Sequence, residues 1–360
     1  MTYFPGLDGM RAIAAFSVIL FHLYPVSVFH LGWAGVDFFF VISGFLITNI
    51  LLSQKGQPGF FKLFYIRRAL RIFPLYFLVI IPLLFANIYF AQVEVNKTIP
   101  YLFYLQNFSA LQDGYLTALG HTWSLAVEEQ YYLLYPALIF FVPIRKLMPV
   151  LLCLIAGTIL LRTYLAYNDY NFYYQSGLLF TRADSLMMGG LLPLVFSRMD
   201  FDNERMSRLL NRVFIIGLLL LAFFIVWQIS SFGAKSIFAD FGNRNLSGNS
   251  IGQLKYTILA IIFSALIGQI AYGSSSILQF MKNKLETPFI KYLGKISYGL
   301  YLFHIPVNRY YDVLLQKLNV QQPLFVVVFV KISLTILISA ISWKFFESPI
   351  LKLKSKFSYS

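Results

Sequence analysis

The chain has 360 residues, of which 58% are apolar and only 12% are charged, and its mean hydropathy is +0.69. Soluble domains carry about 25% charged residues, so this composition excludes a soluble protein. The net charge of +14 would suggest nucleic acid in a soluble chain, but here the basic residues fall between apolar segments and no nucleic-acid partner is expected. A single cysteine excludes an intrachain disulfide or CxxC site, and four dispersed histidines exclude an HExxH zinc site, so no metal is expected.

Ten segments are long and apolar enough to cross a bilayer, since a membrane helix needs about 20 mostly apolar residues. In chain order they are 12–29, 33–52, 72–91, 122–142, 147–166, 183–197, 213–230, 254–272, 290–308 and 323–343. With the N-terminus in the cytoplasm, every inner connection is basic, as the positive-inside rule requires. The sequence therefore predicts an all-α, polytopic protein of the inner (plasma) membrane with about ten transmembrane helices. Both termini are predicted to be cytoplasmic, and membrane lipid is an expected partner.

We expect one integral-membrane domain over residues 1–350 and a short basic cytoplasmic tail over 351–360, and no feature of the sequence indicates an oligomeric state.

Ionisable side chains inside the membrane domain are costly and are therefore functional candidates. His22 follows Arg11 by eleven positions, which puts both on one helix face about 16 Å apart. The alternatives are a membrane anchor for Arg11 and a satisfied core histidine for His22, but the shared face favours a site.

The second segment, GWAGVDFFFVISGFLI, contains a carboxylate about 8 Å below its outer end. This residue, Asp37, could orient His22 as a carboxylate orients imidazole in catalytic triads, or could pair with a basic residue for purely structural reasons. Gly32, Gly35, Ser43 and Gly44 form a stripe of small residues suited to close helix packing. Packing is also the simpler interpretation of Ser43, although a nucleophile is the alternative.

The fourth segment, HTWSLAVEEQYYLLYP, places two adjacent carboxylates within a span. Glu128 and Glu129 point about 100° apart, so we expect only one of them to face a given cavity.

On the predicted cytoplasmic side, FYIRRALRIFPLY carries Arg68 and Arg71 on one helix face, with Arg67 beside them. Guanidinium groups suit phosphate oxygens, and anchoring to anionic lipid is the alternative.

Two further motifs carry ionisable groups. TRADSLMMGG contains Arg182 and Asp184, which we interpret as an outer ion pair, and SYGLYLFHIP contains His304.

Six motifs in this order resemble the acyltransferase-3 family of membrane acyltransferases: Arg11-x10-His22, GVDFFFVISGFLI, RRALR, WSLAVEEQYYLLYP, RADSLMMG and SYGLYLFHIP. The resemblance covers about residues 5–350. It implies transfer of an acyl group, commonly acetyl from acetyl-CoA, to sugar hydroxyls of lipopolysaccharide, exopolysaccharide or peptidoglycan. Some members carry an extra C-terminal esterase-like domain, which we expect to be absent here.

With this resemblance, the candidate residues take roles in acyl transfer. We expect His22, Glu128 and Asp37 to be catalytic; Arg11, Arg67, Arg68 and Arg71 to bind acyl-CoA; and Glu129, Trp123, Arg182, Asp184 and His304 to bind the carbohydrate acceptor. His22 would take the proton of the acceptor hydroxyl, whose oxygen attacks the thioester, and a covalent acyl-enzyme path stays open.

Transfer across the membrane makes a geometric prediction. His22 and Glu128 should border one cavity that crosses most of the bilayer, with Arg68 or Arg71 at its cytoplasmic mouth.

The rival interpretation is a proton-coupled transporter or flippase of lipid-linked sugars or organic anions, which would use the same buried ionisable groups. No inverted repeat or pair of matching broken helices supports it. A receptor without chemistry would leave the buried carboxylates and His22 unexplained.

Overall fold

The computed structural model describes residues 3–24, 27–233, 251–273 and 275–357, and in these residues every regular element is helical. Ten principal helices follow the order of the ten predicted segments: α1 (Leu7–Leu23), α2 (Ala34–Gln54), α3 (Phe60–Phe90), α4 (Trp123–Phe141), α5 (Ile144–Tyr167), α6 (Leu179–Arg198), α7 (Asn203–Phe232), α8 (Leu254–Tyr272), α9 (Ser297–Lys317) and α10 (Leu324–Ser342). The predicted all-α polytopic fold is therefore confirmed.

Shorter helical pieces connect these ten. They are Ser27–Trp33, Val95–Lys97, Ile99–Leu102, Gln106–Asp113, Gly120–Thr122, Phe172–Ser176, Ile251–Gln253, Ser276–Leu285, Pro288–Lys295, Trp343–Glu347, Ser348–Lys352 and Leu353–Phe357.

Seven of the principal helices are long and apolar enough to cross a membrane: α2, α3, α5, α6, α7, α8 and α10. The other three predicted spans are helices with weaker signals. Helix α1 has only 17 residues, and α4 and α9 carry charged side chains. The prediction that both termini are cytoplasmic stays a prediction.

The ends of several predicted segments are wrong by more than one helical turn. Helix α3 begins at Phe60, well before the predicted residue 72, and the predicted segment 290–308 is two helices, Pro288–Lys295 and Ser297–Lys317. Hydropathy marks only the apolar part of a helix, whereas backbone hydrogen bonding continues through polar residues. As a result, α3 includes Arg67, Arg68 and Arg71, which lie before the predicted start of the span at residue 72.

Helices α2 and α6 pack with their backbones in close contact, because glycine lies at the crossing on both sides. A Cβ atom at Gly44 would lie 1.7 Å from the backbone oxygen of Leu186, and one at Gly189 would lie 2.0 Å from that of Val41. This crossing accounts for Gly44 of the small-residue stripe of the second segment, whereas Gly32 and Gly35 lie against the backbone of α1. It also brings Asp37 of α2 opposite Arg182 of α6.

Helix α1 lies inside the bundle, where it packs against α2, α9 and the helix Pro288–Lys295. Ala14 and Ala15 are fully buried, and Gly35 of α2 lies so close to Ala14 that a Cβ atom there would meet its backbone oxygen at 2.5 Å. The N-terminal end of α1 carries Arg11, and its C-terminal end carries His22. We call the end of the bundle near Arg11 the basic end.

The chain returns to the basic end after α10. The segments Ser348–Lys352 and Leu353–Phe357 pack against α3, and the Arg67 guanidinium donates hydrogen bonds to the backbone carbonyls of Phe357 (2.7 Å) and Lys354 (3.3 Å). Of the predicted basic tail, residues 358–360 lie outside the described residues.

Candidate functional site

Three cavities contain most of the candidate residues. The mouth cavity, at the basic end, has a volume of about 510 Å³ and is lined by Arg11, Arg67, Arg68, Arg71, Lys354 and Asp8, among others. The carboxylate cavity has about 80 Å³, with Arg11, Arg68, Arg71, Ser43, Glu128 and Glu129 in its lining. The histidine cavity has about 290 Å³, and its lining includes His22, His121, Trp33, Trp123, Arg182 and Lys255.

These cavities adjoin in a row from the basic end inward. The mouth and carboxylate cavities share three lining residues, Arg11, Arg68 and Arg71. The carboxylate and histidine cavities share Val36 and Tyr301, so the two cavities meet at this pair of side chains, which we call the wall.

The predicted single cavity is therefore wrong, because His22 and Glu128 line different cavities. Two hydrogen bonds fix the position of Tyr301, which belongs to α9. Its hydroxyl donates to the backbone carbonyl of His121 (2.8 Å) and lies 2.5 Å from the Ser124 hydroxyl. The three arginines open onto the carboxylate side of the wall and His22 onto the other. The spacing of Arg11 and His22 along α1 could not reveal that α9 places Tyr301 where the two cavities meet.

His22 lies in the last turn of α1, and its ring is exposed to the histidine cavity. Its Nδ1 atom is 2.9 Å from the backbone carbonyl of Val18 and 3.2 Å from Nε2 of His304. Nδ1 of His304 in turn is 2.5 Å from the backbone carbonyl of Tyr301. A carbonyl only accepts, so both Nδ1 atoms carry the hydrogen in these contacts.

The same contacts assign the tautomer of His22. With both rings neutral, Nε2 of His304 accepts from Nδ1–H of His22, and the lone pair of His22 resides on its Nε2 atom. This is the protonation state that a general base needs.

His304 does not have the exposure that acceptor binding would require. Its side chain is fully buried and is absent from the linings of the three cavities, and its ring centroid is 5.0 Å from that of His22 and 5.0 Å from that of His121. His304 was predicted to bind the acceptor, but it lies behind His22 instead, because α9 packs against α1. His121 was not singled out, since it lies in a short turn before α4.

Asp37 does not orient His22. One carboxylate oxygen accepts hydrogen bonds from Arg182 (2.6 Å) and Ser185 (2.9 Å), and the other has no hydrogen-bond partner. The side chain is fully buried and lies in none of the three linings. The alternative of a structural ion pair therefore describes Asp37 correctly.

The predicted ion pair between Arg182 and Asp184 is also wrong. Residues two apart point about 200° apart on a helix, so each finds a partner on a different side of α6: Arg182 pairs with Asp37, and Asp184 with Arg162 of α5 at 2.8 Å. Asp184 is sequestered there and also accepts from Thr257 (2.7 Å). Arg182 does reach the histidine cavity, where its guanidinium lies 4.0 Å from the ring centroid of Tyr256.

Both adjacent glutamates line the carboxylate cavity, which contradicts the expectation that only one would. Glu128 accepts a hydrogen bond of 2.6 Å from Ser43, so that serine is more than a packing residue. The cavity extends around α4 far enough for both long side chains to reach it. Arg11, Arg68 and Arg71 face these two carboxylates from α1 and α3.

The arginines of α3 differ in what they contact. Arg68 and Arg71 line both the mouth and the carboxylate cavities, which favours a ligand over lipid anchoring, and the Arg68 guanidinium lies 5.3 Å from the ring centroid of Tyr132. Arg67 lines only the mouth cavity and bonds to the backbone after α10.

Aromatic side chains dominate the histidine cavity. Trp123 lines it as predicted for an acceptor-binding residue, together with Trp33, Tyr115, Tyr173 and Tyr256. The Lys255 Nζ atom lies 5.2 Å from the ring centroid of Tyr256. This residue was not predicted to belong to a site, because it lies at the start of an apolar span. In the described residues, no group of three or more His, Cys, Asp and Glu is arranged to hold a metal ion.

Comparison with known proteins identifies relatives over nearly the whole chain. The chain is 32% identical over 376 residues to the peptidoglycan O-acetyltransferase OatA of Listeria monocytogenes, covering 97% of this chain and 56% of that protein. It is 29% identical over 378 residues to the O-acetyltransferase OatA of Staphylococcus aureus, covering 97% of this chain and 57% of that protein. The chain thus spans just over half the length of these relatives, and no solved structure matches it.

A family model described as an acyltransferase domain matches residues 4–344. The match includes every candidate residue except Lys354 and covers the six motifs that suggested the resemblance. The chain therefore belongs to the acyltransferase-3 family.

Proposed function

We propose that this protein transfers an acetyl group from acetyl-CoA, supplied on the cytoplasmic side, to a hydroxyl of a cell-surface carbohydrate. The observation that carries the proposal is the row of cavities, with arginines around one end and a histidine with its lone pair on Nε2 in the aromatic cavity at the other. The printed name of the Listeria relative favours peptidoglycan over lipopolysaccharide or exopolysaccharide as the acceptor.

The acceptor sugar is proposed to bind in the histidine cavity. Rings of Trp33, Trp123 and Tyr256 offer apolar faces to the sugar, which brings its hydroxyl to His22. Nε2 of His22 takes the hydroxyl proton as the oxygen forms a bond to the acyl carbon, and the carbon–sulfur bond breaks. The proton then passes from His22 to the departing thiolate.

His304 supports this step without touching substrate. When His22 becomes an imidazolium, Nδ1–H remains hydrogen-bonded to the Val18 carbonyl and to Nε2 of His304. Those contacts hold the ring in one orientation and stabilise the developing charge. His304 is thus a positioning residue in this mechanism.

The donor is proposed to enter at the basic end. Its phosphates would lie near Arg11, Arg68 and Arg71, because guanidinium groups bind phosphate oxygens bidentately. The pantetheine arm would then point through the carboxylate cavity toward the wall of Val36 and Tyr301.

The wall lies on the path from the arginines to His22. We propose that Tyr301 and Val36 shift to admit the thioester, which requires Tyr301 to leave its hydrogen-bond partners Ser124 and His121. Direct transfer is then possible only while the wall is displaced.

The test uses the full chain in proteoliposomes with acetyl-labelled acetyl-CoA and soluble peptidoglycan fragments as acceptor. His22→Ala should lower label transfer by about 100-fold or more, since a general base contributes at least that much. His30→Ala is the matched control, because His30 lies in the turn Ser27–Trp33 and outside the three linings. Activity of His22→Ala above about a tenth of wild type would exclude the base role.

The same preparation separates the enzyme from the rival transporter. An enzyme consumes the thioester and acetylates the sugar, whereas a carrier moves sugar without consuming acetyl-CoA. Mass spectrometry of surface glycans from a deletion strain would then identify which polymer loses acetyl groups.

A further inference from the structure

The mouth cavity carries an excess of positive charge that its own residues do not neutralise. Five basic side chains line it, and Asp8 is the one acidic residue among the lining residues. Among the residues that the structure describes, the ion pair of Asp8 is the one with Arg11, at 3.6 Å. A cavity of about 510 Å³ with this balance favours a ligand that carries several negative charges.

One of these five cations comes from outside the six motifs and outside the family match. Lys354 belongs to the segment Leu353–Phe357, which follows α10. Its side chain is half-buried in the mouth cavity, whereas its neighbours Lys352 and Lys356 are exposed and absent from that lining.

Arg67 fixes this segment in place. Its guanidinium donates to the backbone carbonyls on either side of the turn, at Lys354 and Phe357. Arg67 was expected to bind the donor directly; these bonds instead make it the residue that holds Lys354 over the cavity.

The cations lie at two depths. Arg11, Arg68 and Arg71 line both the mouth and the carboxylate cavities, so they mark the junction, whereas Arg67 and Lys354 line the mouth cavity alone. Coenzyme A also has its phosphates in two places: the diphosphate adjoins the pantetheine arm, and the 3′-phosphate lies on the ribose at the far end. If the arm points inward, the diphosphate meets the junction and the 3′-phosphate remains outside it.

We infer that Lys354 binds the 3′-phosphate of the acyl-CoA donor and makes the protein selective for CoA over 3′-dephospho-CoA. This inference rests on the proposed function, since it assigns one part of the donor to one part of the mouth cavity. The segment after α10 is then a wall of the donor site, with Arg67 as its positioning residue.

The test measures binding of two probes, CoA and 3′-dephospho-CoA, to the full chain in nanodiscs by calorimetry at fixed salt. Wild type should prefer CoA, and Lys354→Ala should lower that preference about tenfold by weakening CoA alone, as expected for loss of one charge-assisted contact. Lys354→Arg should retain the preference. Lys356→Ala is the matched control and should behave as wild type.

The outcomes separate the two proposals. If neither probe binds wild type, the CoA donor itself is excluded. If CoA binds wild type but Lys354→Ala keeps the wild-type preference, the donor stands and the role of Lys354 is overturned; the excess charge would then serve a lipid phosphate or the diphosphate alone. Arg71→Ala should weaken both probes equally, and selective loss of CoA in that variant would reverse the assignment of the two depths.

Discussion

Two groups of arginines lie within the helical bundle, and they differ in how their charge is matched. Arg162 and Arg182 are fully buried, and each bonds to one carboxylate, Asp184 at 2.8 Å and Asp37 at 2.6 Å. Arg182 also lines the histidine cavity. Arg11, Arg68 and Arg71 line the mouth and carboxylate cavities, and the ion pair found for this group in the described residues is the 3.6 Å contact of Arg11 with Asp8.

This difference shows that depth in a membrane does not by itself identify a functional charge. Asp37 looked functional because charges are costly inside a span, yet it forms a structural pair with Arg182 between α2 and α6. Arg11, Arg68 and Arg71 are the same residue type, but they face the carboxylates of Glu128 and Glu129 across a cavity. Whether a buried charge has an ionic partner therefore says more about its function than its depth does. The sequence does not show this partner, because it comes from a helix distant in the chain.

Breaking a buried pair should have the largest effect on stability. Arg162→Leu leaves the Asp184 carboxylate buried without its ionic partner, which typically costs about 3–5 kcal/mol. Thermal unfolding of the purified protein in detergent measures this loss. Arg71→Leu, which removes a cavity arginine, is the matched comparison and should lower the unfolding temperature far less.

The double variant sharpens the same comparison. Arg162→Leu combined with Asp184→Leu removes both charges and should recover most of the lost stability, because two apolar side chains of similar volume often replace a buried pair without loss. If the double variant is as unstable as Arg162→Leu, the cost comes from packing rather than from the unpaired charge.

Removing the cavity arginines should instead act on donor binding. Arg68→Ala with Arg71→Ala is expected to raise the apparent KM for acetyl-CoA about tenfold or more with a smaller change in kcat, since phosphates do not change during the reaction and contribute uniform binding. Lys62→Ala, an exposed residue on the same helix, is the control. An unchanged KM in the double variant would return both arginines to the lipid-anchor interpretation.

The sequence was sufficient to predict the fold class, the order of the ten helices and the family. It also placed Arg11 and His22 correctly on α1, because the period of a helix fixes relative directions within one element. It failed where the outcome depends on a partner from another helix: Arg182 and Asp184 have separate partners, and Tyr301 of α9 lies where the carboxylate and histidine cavities meet. Arg162 and Asp184 each carried a detectable signal, a charge within a predicted span, but the sequence did not show that they pair.

His304 offers a smaller and more specific test, because His→Asn and His→Gln variants separate its two ring contacts. The side-chain amide of Asn can replace Nδ1–H of His304, which donates to the Tyr301 carbonyl. The longer side chain of Gln can instead place its amide oxygen where Nε2 accepts from His22. We expect His304→Asn to lower kcat about tenfold with little change in the KM for acetyl-CoA, and His304→Gln to retain more activity.

The tautomer itself gives a readout that a packing defect would not change. The chain has only four histidines, so nitrogen NMR of histidine-labelled protein can be assigned with single variants. His22 should carry its hydrogen on Nδ1 in wild type, and this preference should weaken in His304→Asn, where only the Val18 carbonyl still accepts that hydrogen. Equal activity of the Asn and Gln variants, with an unchanged His22 spectrum, would contradict the positioning role.

The smallest effect is expected from an ion pair outside the spans, where Glu286 joins the N-terminal segment to the helices of the basic end. Glu286 accepts from Lys291 (2.7 Å), from the Gly6 amide (2.7 Å) and from Tyr3 (2.8 Å). Burial raises the pKa of Glu286, but these hydrogen bonds outweigh it and hold the pKa below its usual value. A lowered folded-state pKa contributes stability that is present above the unfolded value of about 4.3 and is lost as the pH falls through the folded value.

Glu286→Gln should therefore lower the unfolding temperature at pH 7 by about two degrees or less, because partly exposed pairs are screened by solvent. The difference from wild type should shrink as the pH falls from the unfolded value of about 4.3 to the lowered pKa of folded Glu286. Glu204→Gln, which removes a carboxylate from an exposed contact with Arg208 at 3.4 Å, is the control and should change nothing measurable. A loss at Glu286→Gln as large as that of Arg162→Leu would contradict the distinction between buried, matched pairs and solvent-screened ones.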